Sequence, residues 1–425
     1  MASVAAPPVQ TKPTEWPALT RVAFRFAFCY LVLYCLIAFN NVLEFLPYDR
    51  FSQLFVPWVG RHILHLAQPI TYFISGSGDK TSDWVLLFCH LAVSLFATLV
   101  WSIFDRRKEY ARLNEWLHVL IRYSLAANMF AYGSAKVVKL QFSDPYPTKL
   151  IQPLHDFSPM GLLWTFMGAS TAYTFFAGAC ELLGGVLLLF RRTATLGALV
   201  TGAVMFNVAM LNYAYDVPVK LLATHLVLMC GYLAIPDLRA LFDFLVRNRP
   251  AAPAPVRAHF AAKRWRIAGW VAKTLAVGYL LVTSAMGMVE GYSQYGQGAR
   301  KPPLYGIWDV EEFTRDGVTL PPLLTDTVRW RQFINQNATS IAIRGMDDAR
   351  HSYTIRFETA RSKIWSNNVA VPLELTWSRP DTSHLVLTGT IGGDTYNIRM
   401  KRLDESKFTL LSRGFHWVSE RPFNR

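Results

Sequence analysis

Lys136, Glu181 and His225 are the residues whose types and places in this chain could do chemistry. Each is ionisable and falls within or at the end of an apolar run long enough to cross a bilayer. Charge held in hydrocarbon is costly, so an ionisable group deep in a span is a candidate for a site. In "RYSLAANMFAYGSAKVVKLQF", Asn128, Tyr132, Lys136 and Lys139 follow at spacings of four, four and three, which places them on one helical face. A lysine there either snorkels to water or stabilises an anion inside; Lys139, the later of the two, is read as an outer-surface anchor. Glu181 lies ten residues before Arg191, about 15 Å along a helix, and so near mid-membrane. A carboxylate there is protonated, paired or facing water, and Gly178, Gly184 and Gly185 around it permit neighbouring helices to approach closely.

A second polar group surrounds a proline-broken junction in "MLNYAYDVPVKLLATHLVLM". Asn212 and Tyr215 could orient a ligand. Asp216 either does the same or caps the helix that Pro218 begins, and Lys220 falls in that helix's first turn, at the interface. His225, two turns in, is either a hydrogen-bonded packing residue or a proton carrier whose ordinary pKa suits the task. His90 stands in its run without polar company. No phosphate loop, dinucleotide glycine fingerprint, HExxH, paired CxxC or G-x-S-x-G elbow occurs. No metal-ligand cluster is expected, and "ISGSGDK" lacks the ending a phosphate loop requires.

These residues need a membrane bundle to position them. Of the 425 residues, 52% are hydrophobic and 17% charged, a multi-span membrane composition. Seven spans are expected, at about 20–42, 83–104, 114–138, 171–190, 194–213, 219–236 and 266–288. The net charge of +14 sits beside the apolar runs, which argues for topology and against nucleic acid. Lys and Arg clusters at 105–112, 191–192, 239–249 and 257–266, with Arg21 and Arg25, fall on one side, so the N-terminus is expected in the cytoplasm and the C-terminal part outside. Residues 1–19 read as a polar tail without a cleavable signal, and 20–288 as the bundle. Residues 43–82 and 141–170 read as outer segments and 247–264 as an inner Ala/Pro linker. "FSQLFVPWVGRHILHL" reads as a helix lying on the membrane, and "MGLLWTFMGAS" is too short to cross. All five cysteines fall in apolar runs, which argues against a disulfide-stapled exterior.

From about Leu304 the pattern alternates, in "SIAIRG", "HSYTIRFET", "LELTWS", "HLVLTGTI", "TYNIRMKRL" and "KFTLLSRGF". The chain is thus expected to be an α-helical membrane bundle followed by a small all-β domain, 289–425, forming a sandwich or barrel. With 18 basic against 15 acidic residues from Val289 onward, that domain is not a polyanion binder. The final "SRGFHWVSERPFNR" is expected to dock back onto the domain, or else to touch a ligand.

"RYSLAANMFAYGSAKVVKLQF" followed by "CELLGGVLLLFRRTATLGALVTGAVMFNVAMLNYAYDVPVKLLATHL" resembles the DoxX-like family of bacterial membrane proteins. The resemblance covers roughly a third of the chain. It rests on a lysine closing one helix, here Lys136 or Lys139, ahead of a Glu-x-x-Gly-Gly helix, here Glu181 with Gly184 and Gly185. That family includes subunits associated with quinone reduction, and its fold is similar to the membrane part of vitamin-K-dependent carboxylases. The resemblance implies a quinone or other isoprenoid-like ligand, and the leading expectation is a bacterial plasma-membrane oxidoreductase component or related enzyme that binds it in a polar pocket open to the outer face, with Lys136, Glu181 and His225 as the chemical groups and Asn128, Tyr132, Lys139, Asn212, Tyr215, Asp216 and Lys220 about the ligand. With no haem or iron–sulfur spacing, redox work would need a bound quinone or a partner. The competing reading is a non-enzymatic scaffold presenting the β-domain to an extracytoplasmic partner.

Overall fold

The computed structural model describes residues 15–38, 48–73, 75–250, 262–366 and 372–424. Its helices are α1 Ala18–Ala38, α2 Tyr48–His62, α3 Thr81–Phe104, α4 Ala111–Val137, α5 Pro147–Leu150, α6 Pro159–Ala169, α7 Thr171–Leu189, α8 Ala194–Ala214, α9 Lys220–Ala234, α10 Leu238–Leu245 and α11 Lys263–Gln294. Among the described residues, six segments are long and apolar enough to cross a membrane: α1, α3, α7, α8 with the turn before it, α9 continuing into α10, and α11. This is a multi-pass membrane protein.

The remaining expected span is α4, which is equally long but more polar, and its place explains why that is tolerated. Leu117, Ile121, Leu125 and Met129, four residues apart, form a fully buried stripe that packs with Phe24, Leu31, Leu188, Met205, Leu226 and Met229 of the surrounding helices. A helix wrapped by protein meets little lipid, so its polar residues need partners more than hydrophobicity.

Two compact units divide the chain, one of residues 1–137 with 176–287 and the other of 138–175 with 288–425. In the first, α2 lays Val56 and Val59 on Val85 and Cys89 of α3 and leaves Leu54 and Trp58 exposed, an amphipathic helix where one is expected. The expected outer segment 141–170 is compact with the β-domain. Thr148 donates to Gln336 at 2.8 Å, and Arg350 pairs with Asp156 at 3.1 Å.

The second unit carries β1 Gly306–Arg315, β2 Val318–Thr319, β3 Trp330–Asn335, β4 Ser340–Gly345, β5 Arg350–Thr354, β6 Arg356–Glu358, β7 Lys363–Ser366, β8 Leu373–Ser378, β9 His384–Ile391 and β10 Asp394–Arg402, then the short helix α12 Thr409–Ser412. The strands form one antiparallel sheet in the order β5-β4-β3-β1-β10-β9-β8-β7-β6, with β2 on β1. Its two end strands, β5 and β6, are separated in the chain by Ile355 alone, so the sheet curls until its ends meet in a nearly closed barrel. Trp308, Phe313, Phe333, Leu387, Ile398 and Met400 fill the interior.

The expected strand "HSYTIRFET" is therefore two strands divided at that corner. "KFTLLSRGF" is not a strand: β10 is already paired on both sides, and the Asp404 carboxylate accepts the Ser406 N–H at 3.1 Å, starting a helical turn.

Candidate functional site

Glycine builds the contact between α4 and α7. A Cβ on Gly178 would lie 2.7 Å from the Gly133 carbonyl oxygen and 2.8 Å from the Lys136 Cβ, and one on Gly133 would lie 2.9 Å from the Gly178 carbonyl oxygen. With hydrogens there instead, the two backbones touch. Directly above that contact, Lys136 Nζ donates to Glu181 Oε2 at 2.9 Å and lies 2.8 Å from Oε1. The side chains are 7% and 1% exposed. The Tyr132 ring, one turn back on α4, lies 5.7 Å from the same ammonium. Gly185 packs on Met129, and Gly184 leaves the room that Thr201 of α8 takes.

Two cations not singled out in the sequence hold the end of α7. Arg122, buried on α4, donates twice to the Leu188 carbonyl, at 3.0 and 2.8 Å, and Lys273 of α11 donates to that of Leu189 at 2.7 Å. Both satisfy carbonyls that the helix terminus leaves without partners, and both complement its dipole.

Lys139 is not the expected surface anchor. Its side chain is 4% exposed, bonded to Asp144, to the Gly168 carbonyl at 2.9 Å and to Thr171 Oγ1 at 3.0 Å. Its backbone is left-handed, at φ 55°, so α4 has ended and the side chain turns into the second unit's polar cluster. The helical face shared with Asn128, Tyr132 and Lys136 stops at Lys136. Asn128 itself donates back to the Ser124 carbonyl at 2.8 Å.

His225 of α9 lies among tyrosines. Leu221 O, 2.6 Å from Nδ1, can only accept, so Nδ1 carries a proton, and in the neutral ring Nε2 accepts from Tyr30 Oη at 2.5 Å. Tyr34 stacks on the ring at 4.0 Å and 6°. His90 of α3 is buried as well. Tyr30 and Tyr34 thus gather about His225, while Tyr132 lies by the Lys136 ammonium.

The junction residues have structural partners. The Asp79 carboxylate, from the turn before α3, accepts the N–H groups of Lys220 and Leu221 at 2.8 and 3.0 Å. Asp79, not Asp216, caps α9, because α9 starts only at Lys220 and Asp216 sits in a left-handed turn at φ 51°. Asp216 is largely exposed and binds Lys220 Nζ at 2.8 Å. Asn212 donates to the Val219 carbonyl at 3.3 Å, and Tyr215 ends α8 with its N–H on the Leu211 carbonyl.

In the second unit, Asp381 accepts from Ser383 Oγ at 2.8 Å and from the Ser383 and His384 N–H groups at 2.6 and 2.8 Å, and it faces His384 Nδ1 at 2.8 Å. The Ser383 hydroxyl above all, then its N–H and the imidazole, hold this carboxyl below the ordinary range. Among the described residues, no group of three or more His, Cys, Asp or Glu could hold a metal.

Over 129 residues the chain is 41% identical to an uncharacterized protein of Bacillus subtilis (strain 168), YwoB, a match covering 30% of this chain and 81% of that protein. No family model matches, and no solved structure does.

Proposed function

This chain belongs to the family of YwoB, and we propose that its helical unit holds the polar head of a hydrophobic, quinone-like molecule beside Lys136 and Glu181 and exchanges protons with it. The observation that carries this reading is the closed, nearly water-free pairing of Lys136 with Glu181 between helices α4 and α7. A buried ion pair contributes little net stability compared with apolar residues of the same volume, so its presence calls for a role. The same two residues and the glycines beside them carry the resemblance to the DoxX-like family, and Lys136 takes the lysine's place in that pattern.

In this role the Lys136 ammonium stabilises an anionic oxygen on the ligand, and Glu181, released from the lysine, holds and returns a proton. Tyr132 orients the head group. His225 carries its proton on Nδ1 and presents Nε2 to the Tyr30 hydroxyl, which makes the pair a second station for proton transfer. Electrons would come from a partner, making the protein an oxidoreductase component. We place it in a bacterial plasma membrane with the N-terminus inside and the β unit outside, on the distribution of Lys and Arg. A second reading, a scaffold presenting the β unit to another protein, draws support from a recess of about 510 Å³ lined by Asp309, Glu311, Lys401, Asp404 and Lys407.

Titration of the full chain in nanodiscs with short-chain quinones, followed by tryptophan fluorescence, tests the first reading. Saturable quenching is expected, and it should disappear in the Lys136→Met, Glu181→Leu double variant, which keeps the packing. Absence of saturation in the unsubstituted protein, or equal affinity in the double variant, would overturn it.

A further inference from the structure

The segment after β10 cannot extend the sheet, since both neighbours of that strand are occupied. It does not dock back as the sequence suggests, and instead it displays apolar side chains. Phe415, Trp417 and Val418 are 77%, 91% and 73% exposed, and Leu410, Leu411 and Phe423 are exposed as well. The display is organised. The Arg413 guanidinium sits 4.0 Å from the Phe423 ring centroid, drawing the two ends of 413–423 together, and Phe415 packs edge-on against Trp417 at 5.0 Å. Gly414, at φ +61° with open space around it, makes the turn between helix α12 and this loop.

Two large aromatics held out together leave roughly 150–250 Å² of apolar surface each in water, which favours a covering surface at about 25 cal/mol per Å². The charges beside them are Lys407, Arg413 and Arg421 against Glu420, with His416 between. Tryptophan and phenylalanine flanked by arginine form the composition that settles at a membrane–water interface, aromatic bodies inward and guanidinium groups at the phosphates. The chain itself tethers this unit to a membrane, because α11, one of the helices long and apolar enough to cross, leads into β1 through the connection 295–305.

We propose that residues 408–423 form a lipid-binding loop, in which Phe415, Trp417 and Val418 enter the surface of the bilayer that the chain's own helices span while Arg413 and Arg421 meet anionic head groups. This attachment stands independently of any ligand in the bundle.

The test uses the full chain in nanodiscs, with an environment-sensitive fluorophore on Val418→Cys and the labelled, unsubstituted protein as the blank for the five native cysteines. A nitroxide carried on the lipid should quench the probe about twofold or more, iodide in the water should not, and adding phosphatidylglycerol to a phosphatidylcholine disc should raise the lipid quenching. Phe415→Ser with Trp417→Ser, both at exposed positions, should reverse the two quenching results. Quenching by iodide and not by lipid would place the loop in water. Protection from both would place it under another protein or a second copy. Either result overturns the proposal.

Discussion

Glu181→Ala leaves the Lys136 ammonium without its carboxylate in a site where its side chain is only 7% exposed. Both carboxylate oxygens lie within 2.9 Å of that nitrogen, so the substitution removes the charge partner and the hydrogen bond together. Breaking a buried pair from one side costs about 3–5 kcal/mol, mostly from the stranded charge. Lys136→Met should cost a similar amount. The double replacement Lys136→Met, Glu181→Leu removes both charges and fills their volume, so it should lie within about 1 kcal/mol of the parent. Unfolding of the four proteins in mixed micelles closes a double-mutant cycle, for which a coupling energy of about 3 kcal/mol or more is expected. Additive effects of the single changes, within about 0.5 kcal/mol, would show that the two side chains do not depend on each other and would refute the reasoning.

Gly178→Ala sets a methyl group against the Gly133 carbonyl and the Lys136 Cβ, so it should destabilise the bundle by about 1–3 kcal/mol in the same unfolding assay, while Gly231→Ala, with open space around it, should change little. Asp79→Ala removes the cap on α9 from a distant loop and should cost about 1 kcal/mol, with faster amide exchange at Lys220 and Leu221. The Asp381 carboxyl is held low in the folded β unit, so its stabilising effect is complete above the ordinary carboxyl pKa of about 4 and is lost as pH falls toward the folded value. The protection of the Ser383 and His384 amides, measured against their intrinsic exchange rates, should therefore fall on acidification, and Asp381→Asn should flatten that dependence.

The strands legible in the sequence are those with one clean buried face. β8 buries Leu373 and Leu375, β9 buries Leu385 and Leu387, and both match their alternating runs from end to end. β1 escaped notice because a bulge between Val310 and Glu312 breaks its period of two. The membrane segments were legible by length and apolarity, and Glu181 by its depth. What α4 does with Lys136 and Lys139 was not, because the helix ends between them and sends the two side chains to different partners. Tyr30 and Tyr34 look like ordinary aromatics in the aromatic-rich α1, and only the fold brings His225 between them. Asp79 caps a helix 141 residues further along the chain, a distance over which local pattern says nothing.

The central claim is that the Lys136 and Glu181 site holds a hydrophobic molecule. It is tested most directly by purifying the full chain and the Glu181→Gln variant side by side in mild detergent, extracting each, and identifying the retained lipids by mass spectrometry. The account predicts a quinone or another single isoprenoid-like lipid held in near-stoichiometric amount by the unsubstituted protein and lost from the variant. Recovery of no specific lipid, or of the same lipid in equal amount from both, would contradict it.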